Sequence, residues 1–399
     1  MFILRLGKAL HRYGTPTDRI EEWLGLLAGR LGVHGEFFCT PTALFATLQV
    51  RGPATTHLIR LEPGSADLGR LVDLDRIANQ VYDADLTPTE GIARIDDVLA
   101  RGERYPAPVM LVATAAACAA SNVFLGGTAR EVVATAGIGL VVGVVEGWMG
   151  LRQRMARLSE AVAAFCAALL THAFAVYLGG LDPWRTMLAG LIVLLPGLRL
   201  TVAMHELAVQ HLAAGTARLM GAIMTLLLLG VGVGLGTAAA AAAGLQPPAA
   251  PVLPPLPAEV LWAGALVAPV SFAILFRARL RDVPWIVPAC LVAFFAARFG
   301  GTLLGPRVDL AFGAAFGAFC VGLYSNVYAR VSQRPAQVTS VPAILMLVPG
   351  SLGLTSIGAL LREDVLAGVP AAFRMVMVAA SLVAGLLLAN LVVPSRKIL

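Results

Sequence analysis

Two stretches of the chain decide its fold: LIVLLPGLRLTVAMHEL at residues 191–207 and AILMLVPGSLGLTSIGALL at 343–361. Each is an apolar run broken by Pro-Gly and followed by a Leu-Thr pair and more apolar residues, and the breaks stand 153 positions apart. Proline removes a backbone donor and clashes with the turn before it, and glycine admits non-helical angles. The freed N–H and C=O groups are tolerable at membrane depth only where they line a polar cavity or meet a ligand. A single break of this kind also reads as a packing kink. Two matched breaks point to two half-helices that present their ends to one substrate.

Composition places the chain in a membrane. Of its 399 residues 58% are hydrophobic and 14% charged, and the mean hydropathy is +0.79. A soluble chain could not hide that much apolar surface. The charge is uneven: residues 1–105 hold 12 Lys and Arg against 14 Asp and Glu, and the remaining 294 hold 18 against 10. The first block is composed like a soluble domain and the rest like a membrane domain. The isoelectric point near 9.4 does not indicate nucleic acid, because the positive charge lies in short clusters between apolar segments, with no basic stripe or aromatic platform. Cys39, Cys118, Cys166, Cys290 and Cys320 show no CxxC spacing and read as small buried hydrophobes. The start, MFILRLGKALHRYG, is expected to be a short amphipathic segment with no apolar core long enough for a cleaved signal peptide.

In the first block, residues 15–31 read as a helix capped by Thr15, with Ile20, Trp23, Leu24, Leu27 and Leu31 at helical spacing. Residues 36–50 read as one strand and 55–62 as its partner, with RGPA as the turn. Residues 67–85 and 87–103 read as amphipathic helices, the second capped by Thr87 or Thr89. From Pro106 onward ten apolar segments recur at spanning length: about 107–125, 131–149, 158–179, 186–204, 218–242, 258–276, 284–301, 308–329, 341–360 and 370–393. The Pro-rich, Lys/Arg-free stretch between the fifth and sixth reads as a stiff extracytoplasmic linker.

The basic residues fit this count. With a cytoplasmic N-terminus, the cytoplasmic loops and C-terminus hold Arg152, Arg154 and Arg157; Arg218; Arg277, Arg279 and Arg281; Arg330 and Arg334; and Arg396 and Lys397. The outer loops hold Arg130, Arg185, Arg307 and Arg362, most with acidic neighbours. That alternation is positive-inside, with both termini cytoplasmic. The ten spans split into five and five around the linker, so halves that repeat would be inverted, with each Pro-Gly in the fourth span of its half. A matched pair of interrupted spans is a pointer to a transporter's midplane site. The expected fold class is therefore mainly α: a polytopic membrane protein of ten transmembrane helices as a 5+5 inverted repeat, plus a small N-terminal cytoplasmic α+β domain. The expected divisions are 1–105 for the cytoplasmic domain, 106–243 for the first repeat, 244–257 for the linker and 258–399 for the second repeat.

These residues also carry a resemblance. LLPGLRLTVAMHELAVQHLAAGTARLMGA (194–222) resembles the signature of the threonine/serine exporter family, with its Pro-Gly, Leu-Thr, acidic-Leu pair and Gly-x-x-Arg-Leu in this order. GTPTDRIEEWL (14–24) followed by TPTALFATL (40–48) resembles the family's cytoplasmic N-terminal motif, and residues 341–361 resemble its second module, which some members carry as a separate chain. The resemblance covers nearly the whole length. It implies export of small hydroxylated amino acids from the cytoplasm, driven by the proton gradient, in a bacterial inner membrane. His205 stands where the family's basic residue precedes the acidic one, and His211 stands where a second acidic residue is often seen.

Several residues could carry the chemistry, each with a plainer alternative. Glu146, near the end of the second span, is a proton-carrier candidate, or it snorkels or pairs with Arg152. Glu206, with His205 beside it, is a coupling or gate acid, or a cap with Arg199 or Arg218. His172 lies mid-span, where a lone histidine is a functional candidate or a satisfied packing residue. HELAVQH (205–211) fails the zinc-protease spacing, because its second histidine falls on nearly the opposite helix face, so no metal is expected. Asn122 and Asn326 could bind an amino acid's carboxylate or ammonium, or bond neighbouring helices. Ser351 fails the nucleophile-elbow pattern; with Pro196, Gly197, Pro349 and Gly350 it is placed at the substrate, and Thr201 and Thr355 complete the candidate set. No Walker A or dinucleotide fingerprint occurs, so no cofactor and no enzyme activity is expected. The expected partners are the small amino acid and the bilayer, with no nucleic acid and with homo-oligomer formation left open. Two further readings remain: a passive channel or facilitator, told apart by whether Glu146, His172 and Glu206 are dispensable for uphill transport, and a membrane sensor or scaffold acting through residues 1–105.

Overall fold

The structure is a computed structural model that describes residues 1–399 apart from 51, 63, 153, 247–253, 255, 304–308, 348–349 and 395–399, and apart from the side chains of 302, 303, 309 and 310. Pro349, Arg307, Arg396, Lys397, the first residue of the RGPA turn and most of the Pro-rich linker therefore lie outside the described residues.

The N-terminal unit opens with helix α1 (Phe2–Arg12), which buries Phe2, Ile3, Leu6 and Leu10. Helix α2 (Thr17–Arg30) buries Ile20, Trp23, Leu24 and Leu27. A three-stranded antiparallel sheet follows, β1 (His34–Thr40), β2 (Ala43–Gln49) and β3 (Thr55–Arg60), paired in chain order. The stretch expected as one strand is thus two. Pro41 cannot donate to a ladder, and the Thr40 hydroxyl both accepts from Ala43 N (3.1 Å) and donates to its carbonyl (3.2 Å), closing a tight turn. Helices α3 (Leu68–Tyr82) and α4 (Pro88–Ala100) complete the unit. Thr87 and Glu90 cap α4 reciprocally, as the sequence suggests. Thr15 does not cap α2, which begins two residues later behind Pro16 with no side-chain cap of its own.

Nine helical stretches among the described residues are long and apolar enough to cross a membrane, which makes this a multi-pass membrane protein. They are α5 (Ala107–Phe124), α6 (Ala129–Gly150), α7 (Ser159–Leu178), α10 (Leu212–Ala242), α11 (Ala258–Leu275), α12 (Val283–Leu303), α13 (Asp309–Ser332), the run Gln337–Leu361 and α16 (Val365–Val392). Residues 186–204, expected as a spanning segment broken at Pro196-Gly197, are not among these nine. They divide between α8 (Pro183–Gly190) and α9 (Gly197–Ala208), 8 and 12 residues long. Tight i→i+3 turns join the two, Leu194 N to Leu191 O at 2.9 Å among them, and Pro196 supplies no donor. The run 337–361 likewise divides into α14 (Gln337–Leu345) and α15 (Gly350–Leu361).

Packing in the two sets of helices corresponds. In α5–α10, α7 packs on α10, α6 on α8 and α9 on α10; in α11–α16, α13 packs on α16, α12 on α14 and α15 on α16. Between the sets α5 meets α11, α10 meets α15 and α16 meets α9. Glycine makes the closest crossings, since without a Cβ it lets backbones approach. A Cβ on Gly232 would fall 2.2 Å from Ala161 O of α7, and one on Gly385 would fall 2.2 Å from Ala315 O of α13. These glycines are separated by the same 153 positions as the breaks.

The N-terminal unit is attached in two chemically different ways. Its apolar core runs without interruption into Ala278, Ile286, Cys290, Tyr328 and Val338 at the ends of α11–α14. Leu68 N donates to Phe276 O (2.9 Å), and the buried Arg279–Asp73 pair (2.5 Å) sits beside this seam. Against α9 and α10 its contacts are ionisable.

Candidate functional site

The two breaks meet. A Cβ added to Gly350 would lie 2.9 Å from Leu195 Cβ and 3.5 Å from Gly197 N, so the backbone of the second break rests on that of the first. Helix α9 runs from this contact toward the N-terminal unit. Helix α15 runs the other way and ends where a Cβ on Gly358 would touch the Trp184 ring of α8 (2.2 Å) and Arg362 lies 5.0 Å over that ring. Two helix N-termini therefore meet at one place among the apolar helices. The first-turn N–H groups of a helix lack intrahelical partners and carry the positive end of its dipole.

Beside the contact lies a cavity of about 170 Å3. Both breaks line it, through Ile192 and Leu195 and through Met346, Gly350 and Ser351. Ser121, Phe272 and Phe294 close the rest of its wall from α5, α11 and α12. Of the residues singled out in the sequence, Gly350 and Ser351 line this cavity, and Pro196 and Gly197 form the adjoining break, with Gly197 N turned back on Leu195 O (2.8 Å). Thr201 and Thr355 each donate to the carbonyl four residues back, Gly197 O (3.1 Å) and Ser351 O (2.8 Å), and brace the first turns of α9 and α15. Asn122 donates to Thr135 (3.1 Å) and lies against Gly127, next to the cavity residue Ser121 but outside the cavity. Asn326 ties α13 to Asn390 (2.8 Å) and Val393 O (2.7 Å) near the other end of the bundle.

The titratable residues fall into two groups. Glu146 Oε1 is buried with no hydrogen-bond partner among the described residues, and Glu160 and Arg199 are the charges that bear on it. Arg199 Nη1 lies 3.6 Å from Glu160 Oε1 and 3.3 Å from Thr225 Oγ1, and Thr225 in turn reaches Glu160 (3.3 Å). Four helices thus place two carboxylates around one guanidinium. Sequence reasoning missed Glu160 and Thr225, although an acid at the start of an apolar run was a usable signal. His172 stands apart, with its Nδ1 2.8 Å from Ala168 O of its own helix.

The second group joins α9 to the N-terminal unit. Glu206 is fully buried and makes a two-pronged pair with Arg218, at 2.9 and 3.0 Å. Its Oε1 also accepts from Thr17 N (3.2 Å) and Thr17 Oγ1 (3.0 Å), so the membrane segment supplies the cap that α2 lacks. His205 Nε2 lies 3.3 Å from Asp18, and His211 Nδ1 3.7 Å from Glu21. Burial works to raise the Asp18 carboxyl, but the hydrogen bond and charge of His205 carry it below its ordinary value. Burial raises Glu21. His11, packed at the same seam, is pushed down to about 4 by burial and by the charge of Arg218. Among the described residues no group of three or more His, Cys, Asp or Glu is arranged to hold a metal ion.

Comparison with known proteins follows the same division. Residues 1–240 match the ThrE model for the threonine/serine exporter, and residues 262–392 match the model described as Threonine/Serine exporter, ThrE. The chain belongs to the threonine/serine exporter family. Among curated proteins it is similar to pheromone-regulated membrane protein 10 of Debaryomyces hansenii, with 25% identity over 94% of this chain and 37% of that protein. The protein of that name from Saccharomyces cerevisiae is 26% identical over 88% of this chain and 46% of its own length. The one from Candida albicans is 25% identical over 89% and 33%. The chain thus spans less than half the length of these relatives. No solved structure matches.

Proposed function

We propose that this exporter-family chain expels threonine, serine or a similar small hydroxylated amino acid from the cytoplasm by proton antiport, with no enzymatic step and no cofactor. The observation that carries the reading is the meeting of two distant breaks at one small cavity. Opposed N-termini of α9 and α15 suit a carboxylate, and the Ser351 hydroxyl adds a polar contact. The apolar walls at Ile192, Leu195, Phe272 and Phe294 accept a short side chain and exclude a long charged one.

Helices α5–α10 and α11–α16 act as the two halves of a 5+5 inverted repeat, each with a broken fourth member. The corresponding packing pairs, the matched breaks and the Gly232/Gly385 crossings support this. Rocking one half against the other about the break contact would open the cavity to each side in turn. The N-terminal unit lies in the cytoplasm, because the end of α9, the start of α10 and the α11–α12 connection meet it and carry Arg218, Arg277, Arg279 and Arg281, as positive-inside requires. The membrane is a bacterial inner membrane.

Glu146 is the first candidate for the coupled proton. Protonating it leaves Arg199 with the single carboxylate of Glu160, a balanced pair at membrane depth. His172 is the second candidate, and His205 and Glu206 link α9 to the N-terminal unit. The test is accumulation of radiolabelled threonine and serine in inside-out vesicles under an imposed pH gradient. Uncoupler-sensitive accumulation that is lost in Glu146→Gln supports the reading. Equilibration independent of the gradient would replace it with a facilitator.

A further inference from the structure

The seam between the N-terminal unit and the α11–α12 connection carries a cluster that transport does not use. Arg76 of α3, Arg101 and Arg104 after α4, and Arg279 and Arg281 ahead of α12 line one open cleft of about 530 Å3 with Tyr105. Arg76, Arg279 and Arg281 also line an adjoining cavity of about 360 Å3 with Arg334, where Asp75 and Asp83 offset them, so the excess positive charge is in the first cleft. In the first cleft five guanidinium groups face one carboxylate, Asp73. Asp73 is committed to Arg76, Arg101 and Arg279 at 2.9, 3.1 and 2.5 Å. Arg104 and Arg281 are exposed and form no ion pair among the described residues.

The helices that leave this cleft, α5 and α11, enclose at their near ends an apolar groove of about 600 Å3 lined by Pro108, Val109, Val112, Leu266, Val270 and Ile274. Val112 and Leu266 turn outward, 64% and 52% exposed, as lipid-facing residues do. Cleft and groove are linked through the chain. Tyr105 stands just ahead of Pro108 and Arg279 just beyond Ile274, and the Tyr105 hydroxyl donates to Ala278 O (2.7 Å), fastening the start of α5 to the end of α11. Arg104 and Arg281 each precede a spanning helix, so the charge sits at the level of lipid headgroups.

A basic loop beside a membrane is a topology signal when it stands alone. A basic cleft linked through the chain to an apolar groove has the two-part shape of a phospholipid. We infer that this joint binds one anionic glycerophospholipid, its phosphate held by the arginines and an acyl chain laid between α5 and α11. Arginine suits the role because its fork pairs with phosphate oxygens. The bound lipid would brace the N-terminal unit against α11 and α12.

The test measures binding of headgroup-labelled phosphatidylglycerol and phosphatidylcholine to the purified full chain in detergent, with pyrophosphate as a soluble competitor. Wild type should prefer phosphatidylglycerol at least tenfold. Arg104→Gln/Arg281→Gln should remove the preference, and Val112→Trp should weaken lipid binding while leaving pyrophosphate binding unchanged. Equal binding of the two lipids by wild type overturns the site, whether or not any variant folds. Pyrophosphate binding with no phosphatidylglycerol preference would mark a soluble phosphate site and overturn the lipid assignment. None of these outcomes depends on what the chain transports.

Discussion

The two broken segments are alike where they break and unlike where they end. At the break, each begins a 12-residue helix with glycine behind a proline, and each braces its first turn with a threonine hydroxyl on a backbone carbonyl. At their far ends the chemistry differs. Helix α9 ends in a buried Glu206–Arg218 pair that holds the N-terminal unit, whereas α15 ends in an exposed arginine over the Trp184 ring. The likeness lies where both breaks border one cavity. The difference gives α9 a charged attachment to the N-terminal unit, where the second broken segment meets that unit through apolar side chains of α14 such as Val338.

The sharpest way to break that contrast is Glu206→Gln. It keeps an acceptor for Thr17 but leaves Arg218 with an unpaired charge, a loss expected to cost about 3–5 kcal/mol. Thermal unfolding of the purified chain should register it, and Glu206→Gln/Arg218→Met should recover much of the loss. A double variant as weak as the single one would show that the pair is not what fastens α9.

Acid should loosen the same seam. His11 has its proton affinity held down to about 4 against an ordinary 6.5. The folded chain therefore refuses a proton that the unfolded chain takes. The stability from the neutral imidazole is present above pH 6.5 and is lost as pH falls toward 4, on the order of 3 kcal/mol in all. His11→Phe should flatten the melting curve over that window, and an unchanged pH profile would remove His11 from the account.

The likeness of the halves is tested by Gly232→Val and Gly385→Val. Each puts a side chain against a facing backbone carbonyl and should cost a similar amount, about 1–3 kcal/mol. A large effect in one and none in the other would argue against corresponding crossings. The smallest effect belongs to Arg362→Gln. It removes an exposed cation–π contact of about 0.5–1 kcal/mol, and stability should scarcely move in the same melting assay.

Much of this arrangement was legible in the sequence. Proline and glycine act on their own turn, so the breaks could be read locally, and apolar runs of spanning length announce themselves. The division of the 36–50 stretch was legible too, since Pro41 forbids one continuous strand, but the Phe and Thr content on both sides outweighed it. Gly232 and Gly385 shared the offset of the breaks and were still not singled out. What could not be read was pairing across distance. Nothing near Glu206 in the chain points to Thr17, and nothing near Glu160 points to Thr225. Those partners become neighbours only when helices from opposite parts of the sequence pack.

We propose that the cavity where the breaks meet holds the transported amino acid. This is tested most directly by placing Ser351→Cys in a background with the five native cysteines replaced, and measuring alkylation of that thiol in membranes with and without threonine or serine. Either amino acid should slow labelling in a saturable way, and an amino acid with a long charged side chain should not. Labelling that is indifferent to both substrates, in protein that still transports them, would contradict the proposal.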